Sequence, residues 1–175
     1  MRTRTATFIV LGAIAAPAAG VALATPPVGL NSELLARGAA DELRIRDGSM
    51  GLSLTARQKT DVAVVRATLE PRGTTGWHGH PGPSIVVVKT GTLTMLEPGG
   101  RHGYGRHDGA AEASTRHPRC LTREFGPGKA FVHPEQAHTF ENRTDAVAEF
   151  YVVYLVPRGA TPLLNDVDPA PPQCS

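Results

Sequence analysis

The stretch GTTGWHGHPGPSIVVVKTG (residues 73–91) decides how the rest of the chain is read. From Ser84 onward it is a β-branched run bounded by Pro81-Gly82-Pro83 before and Gly91 after, the composition of a strand between two turns. Just ahead of that strand, His78 and His80 stand one residue apart. On extended backbone, residues i and i+2 face the same side, so the two imidazoles point together while Trp77 and Gly79 point away. Two imidazoles on one face can give two nitrogens to a metal ion. A pair of solvated surface histidines has the same spacing, so H-x-H alone does not choose between them.

Outward from this stretch, short runs of the same kind recur between turn residues: LRIRD, GLSLTAR, DVAVVRATLEP, PSIVVVKTG, TLTMLEP, RCLTREFGPG, AFVHPEQ, AHTFENR and AEFYVVYLVP. Several alternate apolar and polar residues with period two, and Gly or Pro marks most boundaries. The chain therefore reads as all-β, a sandwich or jelly roll that limits unpaired edges. One segment reads otherwise. NSELLARGAADEL (31–43) has Ser32 as an N-cap and Gly38 as a stop, which predicts a short N-terminal helix. Residues 98–119, Gly-rich with His102, His107 and His117, read as a surface loop whose histidines are solvated.

Length and charge exclude more than they select. At 175 residues the chain fits one domain with a core of its own. Residues 1–24 show a basic start (Arg2, Arg4), an apolar middle and small residues Ala22 and Ala24, the pattern of a secretory signal. A membrane anchor is the rival reading, but Pro17 and Gly20 interrupt a run already short for a span, so no stable anchor is expected. Without that segment Lys+Arg falls from 18 to 16 against 16 Asp+Glu, so the remaining chain is near neutral and gives no warrant for a nucleic-acid partner. Cys120 and Cys174 are the only cysteines, and in an exported chain the natural reading is one disulfide tying the Pro-rich tail to the segment around residue 120; two free thiols remain the alternative.

A second histidine-bearing stretch then changes the weight of the first. Gly73, His78, His80 and Gly91 stand in an order that resembles the first motif of the cupin superfamily, and GKAFVHPEQAHTFEN (128–142) resembles its second, with Gly128, Pro134, His138 and Asn142. Two motifs in the right order are far more specific than one. The resemblance covers roughly residues 55–156 and implies a cupin-type jelly-roll barrel (double-stranded β-helix) whose mouth holds a divalent metal. It assigns His78, His80 and His138 as ligands. The chain then divides into a signal (1–24), an N-terminal segment (25–50), the barrel (51–157, with 98–119 as a loop insertion) and the tail (158–175).

The chain also departs from the family pattern. The motif glutamate is missing, its slot falling on Ser84 or Ile85, and Gln136 stands where glycine is usual, one residue too close to His138. Three neutral imidazoles leave the cation fully divalent and suit Zn, Fe, Ni or Cu, whereas a glutamate would favour Mn or Fe. His133 is a conceivable substitute ligand, but strand parity cannot be carried across Pro134. The expected function is an exported metal-dependent enzyme, dioxygenase- or isomerase-like, on a small molecule. The alternative is a non-catalytic binding module with a degenerate site. Phe140 is placed on the His138 face, one of Tyr151 and Tyr154 in the pocket, Glu141 away from His138, and Trp77 against another sheet or a partner subunit, as in a homodimer. No nucleophile elbow, P-loop, dinucleotide fingerprint or zinc-ribbon spacing competes.

Overall fold

A computed structural model of the protein describes residues 25–99, 120–160, 165–166, 171 and 174. The signal segment and the histidines of the 98–119 loop lie outside the described residues. In chain order the strands are β1 (Val28–Ala40), β2 (Leu43–Asp47), β3 (Leu52–Ala56), β4 (Thr60–Thr74), β5 (His78–Gly79) and β6 (Ser84–Thr90). They continue as β7 (Leu93–Pro98), β8 (Cys120–Phe125), β9 (Ala130–His133), β10 (Thr139–Glu141), β11 (Ala148–Pro157) and β12 (Asn165–Asp166). Each of the nine runs read as strands contains one, and no described residue is α-helical.

The main sheet is antiparallel and nearly closed, ordered β8-β7-β10-β4-β11-β6-β9, with β1 laid along β4. Period-two burial produces it. Along β4, Ala63, Val65, Ala67 and Leu69 face inward; along β11, Ala148, Phe150, Val152, Tyr154 and Val156 do the same. These side chains meet Val86, Val88, Leu93, Met95 and Phe140 in one core. Each buried Val, Leu or Phe contributes about 1.5–3 kcal/mol relative to exposure. Truncating the fully buried Leu69 to Ala would cost about 2–5 kcal/mol.

The N-terminal helix expected over 31–43 is a strand. Residues 28–40 pair with β4 from Val28↔Thr74 to Ala40↔Thr60, with register shifts beside Gly29 and Leu35. So short a helix would be marginal in water, whereas β4 offers a whole row of backbone partners, and the inner face of β1 (Leu30, Ser32, Leu34) meets the barrel cavity. Tertiary pairing has overridden the capping signal. The strand is fastened at one end by Arg37, whose Nε and Nη2 donate to Asp61 Oδ2 at 3.0 and 2.7 Å.

The tail is held at two points. Cys120 and Cys174 form a disulfide, and β12 pairs with β5, Asn165 opposite Gly79 and Asp166 opposite His78. The disulfide fits an oxidising compartment. Among the described residues no helix is long and apolar enough to cross a membrane.

Candidate metal centre

Two register relations assemble the histidines. His78 and His138 exchange backbone hydrogen bonds, N to O at 2.9 Å in both directions, so they are directly opposed and share a face. His80, two residues on, joins the same side. Across the β6–β9 pair, Ser84 stands opposite His133, which therefore points to the same side as Ser84. All four histidines are buried: His133 is 0%, His138 1%, His78 3% and His80 4% exposed.

Local backbone orients three of the rings. Nδ1 of His78 lies 2.8 Å from the Gly76 carbonyl oxygen, Nδ1 of His80 2.6 Å from that of Gly82, and Nδ1 of His138 2.9 Å from that of Gln136. A carbonyl only accepts, so each Nδ1 carries the proton and each Nε2 keeps its lone pair, the state a metal ligand requires. Glycine is needed at two of these points. Gly76 has φ +67°, and a Cβ there would lie 2.1 Å from the Thr25 carbonyl oxygen; a Cβ on Gly82 would lie 2.0 Å from that of Leu155. Gln136, the departure from the second motif, serves through its backbone carbonyl alone.

The sequence-predicted trio stays together: ring centroids are 4.3 Å apart for His78 and His138, 5.1 Å for His80 and His138, and 6.2 Å for His78 and His80. The tightest group is a different one. One ring nitrogen each of His80, His133 and His138 lie within 4.8 Å of one another, and the His133 and His138 rings are 3.6 Å apart. Three nitrogens on one zinc ion sit about 3.4–3.6 Å from one another, given Zn–N of about 2.1 Å. The group therefore fits an ion after inward shifts of up to about 0.7 Å per nitrogen. Electrostatics agree, since burial, the neighbouring histidines His78 and His133 and, more weakly, His80 push His138 well below its ordinary value, and burial lowers His80. Neutral imidazoles are the ligand form.

His133 has an acidic neighbour. Its Nε2 lies 3.6 Å from Glu97 Oε2, and Arg123 donates to Glu97 Oε1. Burial pushes the Glu97 carboxyl up, but His133 and Arg123 together hold it below its ordinary value. Glu97 and Arg123 were not singled out from the sequence. The signal was there: in TLTMLEP, Leu93, Met95 and Glu97 share the inward face, so a carboxylate occupies a core position. Of the remaining predicted residues, Tyr154 and Phe140 line the cavity. Tyr151 donates to Glu149 instead, and Glu141 pairs with Arg143. Trp77 is buried, its backbone N–H donating to Thr25 Oγ1. Asn142 is a structural pin, its Nδ2 lying among the carbonyls of Leu69, Glu70 and Ala146.

The two motifs thus meet, histidine against histidine, inside an antiparallel barrel-like sheet. The fold is that of a cupin. No family model and no curated protein matches the sequence. Solved structures similar to this cupin barrel include the polyketide cyclase RemF from Streptomyces resistomycificus, at 16% identity over 94% of this chain and 90% of that one, TM-score 0.47. A cupin domain from Bordetella pertussis is 21% identical over 76% of this chain and 97% of its own, TM-score 0.42. Oxalate decarboxylase from Lactobacillus farciminis is 16% identical over 57% of this chain, TM-score 0.42, and this chain spans only 25% of its length.

Proposed function

We propose that the chain is an exported cupin that binds one divalent metal ion through His80, His133 and His138, with His78 beside them, and uses it as the centre of an enzyme acting on a small molecule. The observation that carries this reading is the buried histidine group, in which backbone carbonyls take up the ring protons of His80 and His138. His133, set opposite Ser84, fills the place of the family's glutamate. The carboxylate is moved outward: Glu97 positions His133 from behind, as carboxylates behind metal-bound histidines do. An all-imidazole set suits Zn, Fe, Ni or Cu. When bound, such an ion polarises a ligand oxygen or lowers the pKa of a bound water. The protein's own residues supply the orientation of the rings and a largely apolar cavity against them.

A second reading is favoured by one observation. No carboxylate or lysine lines the cavity among the described residues, so beyond the histidines and Tyr154 no acid or base stands ready, as in a binding module that carries or senses a ligand. Elemental analysis of the purified mature protein, followed by oxygen-uptake and isomerisation screens, tests both. One equivalent of metal with turnover supports the enzyme; one equivalent without turnover across broad panels supports the module. Failure to retain any of Zn, Fe, Ni, Cu or Mn sinks the metal reading.

A further inference from the structure

The cavity that ends on the histidine wall encloses about 220 Å³. An apolar protein cavity of about 150 Å³ accepts benzene, so there is room here for one ring with a substituent. Its other walls are Val65 and Ala67 of β4, Val86 of β6, and Phe150 and Val152 of β11. It opens beside β1, because Leu34 lines it and is yet 53% exposed. None of the described lining residues carries a formal charge. The polar groups other than histidine are the hydroxyls of Ser32, Thr75, Ser84 and Tyr154, and burial pushes the Tyr154 phenol up, so it stays a neutral donor. A second ionised group on a ligand would lose its water here and gain no countercharge, which disfavours its entry.

We infer that the cavity takes a neutral, single-ring ligand with a hydroxyl on an unsaturated carbon, a phenol or cyclic enol. Its oxygen turns to the histidine wall and its ring lies against Val65, Phe150 and Val152. Aromatic and branched aliphatic walls suit a flat apolar ring, and the wall on which His78, His80 and His138 cluster fixes which end goes in first. The inference rests on the metal reading for the direction of the oxygen, while the fit of the ring depends on the cavity alone.

Calorimetric titration of the full chain, zinc-loaded and chelator-treated, with phenol, 4-methylphenol and 4-hydroxybenzoate tests it. Phenol and 4-methylphenol should bind both forms, the loaded form more tightly, and 4-hydroxybenzoate should bind about tenfold more weakly or worse. Val152→Phe, which fills the cavity, should abolish phenol binding while zinc stoichiometry stays at the wild-type value; Ala67→Leu serves the same purpose should that variant fail to fold. Leu34→Arg at the exposed rim should bring 4-hydroxybenzoate up to the affinity of phenol. Equal or tighter binding of 4-hydroxybenzoate by the wild type overturns the inference, as does phenol binding that both filling variants leave unchanged. Phenol binding without zinc binding leaves this inference standing and removes the metal reading; zinc binding without phenol binding does the reverse.

Discussion

The two walls of the cavity are built by opposite means. On the histidine side, rings are buried, three are tied to carbonyls two residues away, and the strand carrying His78 is backed by β12. On the other side, β1 is a largely exposed strand, held along β4 and fastened by the Arg37–Asp61 pair. One wall is set by short-range geometry inside the core, the other by backbone pairing at an edge. The first should resist everything except loss of its own side chains, and the second should yield to small changes at its fastening.

The sharpest way to break the histidine wall is His138→Ala. Metal retention should disappear while the far-ultraviolet spectrum stays that of a β-barrel, because the core comes from Leu69, Leu93, Met95 and their neighbours. Tight metal binding by this variant would show that the ion sits elsewhere. Next in size is the support behind β5. The disulfide closes a 54-residue separation, which on the chain-entropy model stabilises the fold by about 4 kcal/mol. Reduction should lower the melting temperature and expose the tail to proteases, and residues 165–166 should lose amide protection; an unchanged melting curve would show the tail to be irrelevant to the fold.

A smaller effect is expected at Glu97. Glu97→Gln keeps the volume and removes the charge behind His133, and should weaken metal affinity about 10–100-fold. With cobalt as the probe ion, the visible spectrum should shift as well, which a purely structural role for Glu97 would not produce. Glu97→Asp should recover part of the affinity. Unaltered affinity and spectrum in Glu97→Gln would remove Glu97 from the site.

The smallest effect belongs to the β1 wall. The Gly159 N–H and the Arg37 guanidinium hold the Asp61 carboxyl below its ordinary value of 3.8. A depressed carboxyl stabilises the fold fully above its ordinary value and loses that contribution as pH falls through the lowered one. Asp61→Asn should therefore lower the melting temperature by a few degrees at neutral pH, flatten the acid limb of the stability curve, and speed amide exchange along residues 28–40. Metal affinity should stay unchanged, and a drop would mean that the two walls are coupled.

Much of this was legible before any fold was known. The alternation in DVAVVRATLEP and AEFYVVYLVP and the Gly and Pro punctuation named the strands, because period-two burial is written into adjacent residues. His78, His80 and His138 could be named because their spacing is local and matches a pattern. Residues 31–43 misled, since a good N-cap and stop describe only what an isolated segment prefers, and the long partner strand β4 was not visible from there.

What the chain alone determined was nine of the twelve described strands, the histidines of the two motifs, and the only pairing open to its two cysteines. Tertiary structure decided what register decides. His78 opposes His138, and Ser84 opposes His133, only because particular strands lie side by side at particular offsets. A shift of one residue in either pair would turn the side chains to the other face. His133 stands against His138, and Glu97 against His133, for that reason: these contacts are short in space and not legible as contacts in the sequence, since strand pairing joins residues whose separation along the chain carries no information about which face they share.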